Sequence, residues 1–201
     1  MTGFDRVLAA RRMCRDFRPD PVDGPTLRSV LGAAFRGPSA GNTDALDLVV
    51  LTGADRARYW DVTLPPEGRA AFRWPGLLWA PVLVVPVVDP DAYVERYART
   101  DKAATGLGSG TGAWPVPYWF VDGGAAVMAM LLAAESAGLG ALFFGQFDHE
   151  PDVLAALGVP GRRRSPGTVA LGHAAPGGRS PSSSARAGRP DPQRHLHLGS
   201  W

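Results

Sequence analysis

Three arginines close to the start of the chain, together with a polar loop further along, are the residues best suited to bind a ligand. The arginines are Arg11, Arg12 and Arg15. Guanidinium groups bind phosphate and carboxylate through paired N–H donors. The loop at residues 37–42, Gly-Pro-Ser-Ala-Gly-Asn (the 37–42 loop), adds the short polar side chains of Ser39 and Asn42, and its glycines let a ligand approach the backbone. The combination indicates an anion site.

The spacing of these arginines fits one side of a helix. The segment Asp5–Cys14 predicts a short helix that ends before Arg15, and Arg18 disfavours its continuation because it precedes a proline. Arg11 and Arg15 are four positions apart, so in a helix they would project from one face and could hold one anion together. A solvated basic face is the alternative for arginines considered alone.

Hydrophobic periodicity predicts ordered elements along the rest of the chain. Further helices are predicted at Thr26–Phe35, Ala54–Asp61, Asp91–Thr100, Gly123–Gly138 and Glu150–Leu157. Strands are predicted at Leu46–Leu51, Val82–Val88, Ala141–Phe144 and Thr168–Leu171. The chain is therefore expected to mix helices with a sheet.

A glycine-rich stretch, Thr105–Pro117, predicts a mobile lid over a pocket. Trp114, Tyr118 and Trp119 lie in or just after it and are candidates to stack on a substrate. The stretch contains Gly-x-Gly-x-x-Ala at 108–113, but no predicted strand precedes that pattern, so it is not a dinucleotide-binding fingerprint.

Composition narrows the class of protein. With 201 residues and 45% hydrophobic content, residues 1–201 are predicted to form a single domain. Cys14 is the only cysteine, which excludes an internal disulfide or a cysteine-based metal cage and favours a cytoplasmic location. The apolar run Leu77–Val88 is shorter than the ~20 residues that cross a bilayer, so no membrane span is expected. A net charge of +2 argues against nucleic-acid binding, and Arg162–Arg164 is interpreted as a solvated turn.

The two N-terminal motifs together resemble those of the nitroreductase family of flavoproteins. That family has Arg-Arg-Ser-x-Arg-x-Phe followed by Pro-Ser-x-x-Asn-x-Gln-Pro-Trp. The matching residues are Arg11, Arg12, Arg15, Phe17, Pro38, Ser39 and Asn42. Asp122, the Ala-rich helix after it and the turn Ala137–Ala141 are similar to the family's central helix and the turn that leads to its flavin strand. The chain end from Gly188 to Trp201 resembles its C-terminal arm.

The resemblance implies an α+β, nitroreductase-like fold, in which a central, mostly antiparallel sheet is flanked by helices. It further implies an intertwined homodimer with FMN at each interface. Residues 174–201 would then form an extended C-terminal arm that crosses to the partner subunit.

The resemblance also implies which residues hold FMN. Contacts to the phosphate, ribityl chain and pyrimidine edge are expected from Arg11, Arg12, Met13 and Arg15. Contacts to the flavin from the partner subunit are expected from Pro38, Ser39, Ala40 and Asn42. The strand end beside the isoalloxazine, with a backbone N–H near N5, would be Phe143, Phe144 and Gly145. Arg189, or Arg186 near it, would reach the phosphate.

Two positions depart from the family pattern. Met13 stands where serine is usual, and Asp44-Ala45-Leu46 stands where the family has Gln-Pro-Trp. We therefore expect one hydrogen bond fewer to the pyrimidine or phosphate. An acidic side chain near a flavin would also disfavour its anionic reduced form.

The activity implied is a ping-pong reaction, in which NAD(P)H reduces FMN and leaves before an electron-poor nitroaromatic or quinone-like molecule enters the same pocket. No catalytic side chain and no metal are expected, because the hydride chemistry belongs to the flavin. One alternative is an FMN-dependent dehydrogenase or oxidase of a biosynthetic metabolite. Another, of a different class, is a non-enzymatic protein that binds a polyanion through its arginine clusters.

Overall fold

A four-stranded sheet surrounded by helices forms the centre of the computed structural model, which describes residues 2–179 and 188–201. The strands are β1 (Leu46–Thr52), β2 (Val82–Val88), β3 (Gly140–Phe144) and β4 (Thr168–Gly172). Their order is β1-β2-β4-β3, and each neighbouring pair is antiparallel. The helices are α1 (Gly3–Ala10), α2 (Gly24–Ala33), α3 (Arg56–Thr63), α4 (Pro66–Arg69), α5 (Pro90–Ala98), α6 (Tyr118–Ser136) and α7 (Glu150–Ala156). The predicted α+β class is confirmed, and each strand overlaps its predicted range.

β2 is the buried centre of the sheet. All of its residues are buried, which explains why it is a continuous aliphatic run instead of an alternating one. Pro86 within it has no N–H to donate, but the pairing of β2 with β4 ends at Val84. Pro86 therefore faces no β4 partner, and the missing donor leaves no gap in that ladder.

Apolar side chains cover both faces of the sheet. On one face Val85 of β2 shares a cluster with Tyr59 of α3 and Val153 of α7. On the other face Val84 shares a cluster with Met130 of α6. Neighbouring residues of the strand thus serve opposite layers, as the alternation of side chains along a strand requires.

α6 is the long apolar helix that covers the second face. By length and composition alone it could span a membrane, the one helix of the described residues that could, and 39% of the tested window is buried. This is weak evidence, since a buried core helix has the same composition. Met130 and Ala134 are fully buried in the cluster beneath the sheet, so the structure explains the hydropathy of α6 by core packing.

The helix predicted over Asp5–Cys14 is wrong in its second half. α1 ends at Ala10, and Arg11 leaves the helical region with φ −52° and ψ 123°. Beyond it the chain runs along β3, where the Cys14 N–H donates to the Ala141 carbonyl at 2.8 Å. Pairing with β3 covers its open edge and buries Cys14, which outweighs a further turn of helix.

The predicted lid at Thr105–Pro117 is instead a series of short 3-10 turns that pack on α5. A Cβ added to Gly108 would lie 2.5 Å from the backbone of Ala98, so only glycine allows this approach. Trp114 is 7% exposed, and its Nε1 donates to the Leu107 carbonyl at 3.0 Å. The stretch is an ordered cap on α5.

Candidate functional site

A cleft of about 950 Å³ opens at the end of β3 (the β3 cleft). Its lining includes Phe143, Phe144 and Gly145 from the strand end and Arg15 from the N-terminal segment. This volume falls in the range of small-molecule sites, about 300–1,000 Å³. The structure therefore brings together two of the elements that the sequence assigned to one ligand.

Arg15 reaches this cleft because the N-terminal segment is paired with β3. Met13 forms a parallel bridge with Ala141, next to the Cys14 hydrogen bond. The approach is close, since a Cβ on Gly140 would lie 2.8 Å from the Cys14 Sγ. Met13 thus contributes backbone pairing and apolar packing at the position where the family has a serine.

Arg11 and Arg12 differ in what they have available for a ligand. Arg12 is exposed, and its Nη1 donates to the carbonyls of Ala9 at 2.6 Å and of Arg11 at 2.9 Å, so it folds back on the end of α1. Arg11 is partly buried, and its Nη1 is buried with no hydrogen-bond partner in the described part of the chain. Because an unsatisfied buried donor costs about 1–3 kcal/mol, an acceptor group on a ligand would relieve it.

The 37–42 loop is fastened to α5 and α6. The Asp122 Oδ2 accepts hydrogen bonds from the Ala40 N–H at 2.8 Å and from the Tyr93 hydroxyl at 2.8 Å. The Gly41 carbonyl accepts a hydrogen bond from the Arg96 Nε at 2.8 Å. Asp122, which the sequence marked only as lying near the start of the central helix, is therefore the side chain that holds the loop.

This loop lines a second cavity of about 380 Å³, separate from the β3 cleft and also lined by Asp122 and Tyr93. Pro38, Ser39, Asn42 and Asp44 contribute to its lining. Asn42 has φ 53°, a left-handed conformation that asparagine tolerates better than most residues. Within one chain the structure does not bring these predicted site residues to Arg15 and the β3 strand end.

The predicted C-terminal contribution is also not formed at the cleft of one chain. Arg189 is exposed and does not line the β3 cleft, and Arg186 lies outside the described residues. Near the chain end His197 stacks on Trp201 with ring centroids 4.5 Å apart. Leu198 and Trp201 are fully exposed, so this part of the arm has apolar side chains without cover in the described chain.

Aromatic side chains that the sequence did not indicate line the β3 cleft. They are Tyr59, Trp60, Phe72, Trp74 and Phe147. The ring of Trp60 lies nearly parallel to that of Phe144, with an interplanar angle of 3° and centroids 6.2 Å apart. The density of aromatic residues between positions 59 and 79 was the available signal, but periodicity did not attach it to the strand end.

The aromatic residues predicted to stack on a substrate lie elsewhere. Trp114 and Trp119 are 7% and 8% exposed and pack in a separate core cluster around Tyr93. Tyr118 is 43% exposed, and none of the three predicted residues lines the β3 cleft. The prediction is wrong for the single chain because α6 begins at Tyr118 and turns Trp119 toward the core.

A chain of buried polar groups lies behind the strand end. The Gln146 Nε2 donates to the Thr168 Oγ1 at 3.0 Å, and that hydroxyl donates to the Tyr59 oxygen at 2.9 Å. Burial raises the pKa of Tyr59 to about 12, against the opposing effect of the Thr168 hydrogen bond. The Gln146 Oε1 is buried and has no partner among the described residues. An unused acceptor therefore lies next to Gly145.

These residues fit the requirements of FMN. A phosphorylated flavin needs cationic or N–H donors at one end, and at the other an apolar surface with polar groups for the ring edge. Arg15 in the cleft lining supplies the first, while Phe144 and Gln146 supply the second. Arg11, on the same segment but outside the cleft lining, has a further unpartnered donor in its Nη1.

Known proteins resemble this chain over most of its length. A "NADH dehydrogenase" from Thermus thermophilus is 31% identical over 180 residues, which cover 82% of this chain and 83% of that protein. A "5,6-dimethylbenzimidazole synthase" from Rhodospirillum rubrum is 32% identical over 172 residues, covering 79% and 75% respectively. A solved structure from Desulfovibrio desulfuricans, described as a nitroreductase in complex with FMN, is 22% identical with a TM-score of 0.67 and covers 100% of this chain and 99% of that one.

The family assignment rests on the extent of these matches. The model of the nitroreductase family matches residues 8–173, well over half of the chain. The matched range begins just before the arginine segment and ends after β4, so it contains the whole sheet and all but Gly177 and Gly178 of the residues that line the β3 cleft. The chain belongs to the nitroreductase family and is an FMN-dependent oxidoreductase.

Proposed function

We propose that this chain works as a cytoplasmic homodimer that passes electrons from NAD(P)H through FMN to an electron-poor small molecule, such as a nitroaromatic or a quinone, in a ping-pong reaction. Residues 1–201 would form one domain, with 174–201 as its C-terminal arm. The observation that carries the proposal is the β3 cleft, where a cationic segment and an apolar strand end line one cavity of suitable size. The proposed FMN contacts are Arg11, Arg12, Met13, Arg15, Pro38, Ser39, Ala40, Asn42, Phe143, Phe144, Gly145 and Arg189.

FMN, when bound, accepts and donates the hydride. The chain's own contribution is binding, orientation and exclusion of water. Arg15 and Arg11 would hold the phosphate end by charge-assisted hydrogen bonds, and Gly145 would offer a backbone N–H to the ring. Trp60 and Phe144 would exclude water from the reacting face, which strengthens the electrostatic effect of each donor nearby.

The proposed homodimer is supported by exposed apolar side chains on neighbouring elements. α6 contacts α1 and the turn that follows α2, and these elements expose large hydrophobic residues. The exposed residues are Phe4, Phe35, Val121 and Met128. Exposed large apolar side chains on elements that pack together are expected at a protein–protein interface. A second copy placed there would also give the 37–42 loop a neighbouring chain to contact.

The direct test is the visible spectrum of the purified protein, followed by anaerobic stopped-flow mixing with NADH and with NADPH. We expect a yellow protein whose flavin band bleaches with one or both nucleotides and recovers when a quinone is added. A protein that stays colourless after FMN addition contradicts flavin dependence. A flavin that neither nucleotide bleaches contradicts the donor and leaves the cofactor assignment standing.

Arg11→Ala tests the proposed phosphate contact. Loss of one charge-assisted hydrogen bond should weaken FMN binding by about 1.5–3 kcal/mol, roughly a tenfold to hundredfold rise in Kd. Arg6→Ala is the matched control, because Arg6 is an exposed arginine of α1 whose side chain makes no hydrogen bond in the described residues. Equal FMN affinity in the Arg11→Ala variant and the wild type would contradict the assignment.

A second candidate is an FMN-dependent dehydrogenase or oxidase that acts on a biosynthetic metabolite. The 32% identity to a protein named 5,6-dimethylbenzimidazole synthase favours it. Asp44, which replaces the family's glutamine, lines the cavity beside the 37–42 loop and would disfavour an anionic reduced flavin. Failure of both nucleotides to bleach a bound flavin, together with fast reoxidation of photoreduced flavin by oxygen, would support this candidate over the first.

A further inference from the structure

The mouth of the β3 cleft contains an arginine that has no protein partner. Arg73 is exposed, lines the cleft and makes no hydrogen bond or ion pair to any residue of the described ranges. Other arginines of the chain are neutralised, as Arg69 is by Asp61 at 2.6 Å and Arg164 by Glu150 at 2.8 Å. The positive charge at this side of the cleft is therefore available to a ligand.

The guanidinium of Arg73 lies over one aromatic ring, which packs against a second. Its guanidinium carbon lies 5.2 Å from the centroid of the Trp74 ring, a cation–π distance. The edge of Trp74 meets Phe72 at a centroid distance of 6.0 Å and an interplanar angle of 81°. Phe72 in turn packs against the core cluster. The indole of Trp74 is 40% exposed, so part of its surface remains for a further contact.

From these contacts we infer that Arg73 and Trp74 form a clamp for the acceptor substrate, which is a planar, electron-poor ring that carries a carboxylate or similar anionic group. Trp74 provides apolar surface for the ring, and Arg73 pairs with the anion at the cleft mouth. Arg15, the other cleft arginine without an acidic partner in the described chain, is already assigned to FMN. The inference rests on the proposed function, of which it specifies the substrate class.

The test compares two acceptors that differ in charge alone, 4-nitrobenzoate and 4-nitrobenzamide, in steady-state assays with NADH. In the Arg73→Gln variant we expect the ratio of kcat/KM for the benzoate to that for the benzamide to fall about fivefold, as for an exposed ion pair. The fall should lie in KM, because the pair forms in the ground state as well as in the transition state. It should shrink as salt is raised.

Two variants separate the clamp from general effects. Arg99→Gln removes an exposed arginine that lies outside the β3 cleft, and it should leave the ratio unchanged. Trp74→Leu should raise KM for both acceptors by a similar factor, since both present the same ring. An unchanged ratio in Arg73→Gln, or an equal fall in Arg99→Gln, would overturn the inference. The inference would also be overturned if Arg73→Gln raised KM for NADPH but left the benzoate-to-benzamide ratio unchanged. That result would mean that Arg73 pairs with the electron donor and not with the acceptor.

Equilibrium binding distinguishes failure of the clamp from failure of the proposed function. Without any electron donor, 4-nitrobenzoate should quench tryptophan fluorescence in the wild type, and Trp74→Phe should lose part of the quenching. Arg73→Gln should weaken this binding of the benzoate about fivefold while leaving that of the benzamide unchanged. A wild type that binds the benzoate in this way but is not reduced by NAD(P)H retains the clamp and loses the proposed reaction. A wild type that is reduced but shows no preference for the anionic probe retains the reaction and loses the clamp.

Discussion

The β3 cleft and the 37–42 loop are both candidate flavin sites, but they differ in how complete they are within one chain. The cleft is lined by two arginines, by apolar walls and by Gln146, whose Oε1 is buried without a partner in the described residues. The loop makes its polar contacts to Asp122 and Arg96, and it lines a smaller cavity to which Asp122 also contributes. The cleft of one chain thus has the features of a ligand site, whereas the loop is held by hydrogen bonds and does not line that cleft.

This difference indicates how one site can be formed by two subunits. A loop that closed over the cleft of its own chain would need to move, whereas the hydrogen bonds of Asp122 and Tyr93 oppose movement. A loop that serves the partner's cleft gains from being rigid, because less conformational entropy is lost when the ligand binds. The contrast therefore supports the proposed homodimer, and it can be broken or sharpened by experiment.

The largest effect is expected from mixed dimers. Arg15→Ala damages the cleft and Asp122→Ala unfastens the loop, so either homodimer should lose most flavin-dependent activity. If each site takes its cleft from one chain and its loop from the other, a heterodimer of the two variants contains one intact site. Its activity, measured after purification through two different tags, should be about half that of the wild type.

The reciprocal heterodimer is the control for this experiment. It combines a chain that carries both Arg15→Ala and Asp122→Ala with a wild-type chain, so shared sites would leave both of its clefts defective. Sites built within one chain would give the opposite result, with activity in the reciprocal heterodimer and none in the first. That reversal would break the comparison.

A smaller effect is expected at alkaline pH, because each region contains a buried tyrosine. Burial raises the pKa of Tyr59 behind the cleft to about 12, and burial together with Asp122 raises the pKa of Tyr93 behind the loop. A raised pKa means that stability is complete below the unfolded value of 10.0 and falls as pH rises toward the folded value. For Tyr59 the loss should be about 2 kcal/mol between pH 10 and 12, measured by urea unfolding at each pH.

Single variants assign this alkaline loss to each region. Tyr59→Phe should reduce the decline between pH 10 and 12 by about 2 kcal/mol, because the phenol at position 59 is gone, while the part of the decline due to Tyr93 remains. Asp122→Asn should make Tyr93 ionise at lower pH, since the carboxylate that opposes its ionisation is removed, and it should leave the Tyr59 step unchanged. A Tyr59→Phe curve that overlies the wild-type curve would refute the assignment.

The smallest expected effect is on FMN affinity when the charge at position 122 is removed but the hydrogen-bonding shape is kept. The asparagine of the Asp122→Asn variant can still accept a hydrogen bond from the Ala40 N–H. The interaction that holds the loop should therefore weaken by about 1 kcal/mol, and FMN should bind roughly fivefold more weakly. Equilibrium titration followed by flavin fluorescence measures this. Tyr93→Phe, which removes only the other partner of Asp122, is the control and should weaken binding less. No change in Asp122→Asn would show that loop rigidity does not contribute to flavin binding.

Much of the fold could be predicted from the sequence, because strands and long helices have a periodicity that tertiary contacts rarely overturn. The aliphatic run of β2 and the Ala-rich α6 are examples. The end of α1 could not be predicted, since Arg11–Cys14 has adequate helix propensity and only the neighbouring edge of β3 draws it into an extended conformation. Local pattern gave no information on that long-range pairing.

The candidate site was predicted in part: the residues in short local motifs could be assigned, and those brought in by long-range packing could not. Arg15 and Phe143–Gly145 could be assigned because their motifs are short and local, and the structure places them in one cleft. The walls from Tyr59 to Trp74 depend on how α3 and the following segment lie across the strand end, which no spacing rule indicates. Trp119 was misassigned because the sequence does not indicate whether an aromatic residue at the start of a helix faces solvent or the core.

The pairing of the N-terminal segment with β3 sets a length. Met13 is fixed opposite Ala141, and three residues further along the same strand is Phe144. At about 3.4 Å per residue the strand places the Ala141 position, where the N-terminal segment is anchored, roughly 10 Å from the Phe144 end. A hydrogen-bonded β-strand stretches very little, so this separation is nearly fixed. A ligand held by the N-terminal segment at one end and by the strand end at the other would have to match this fixed spacing.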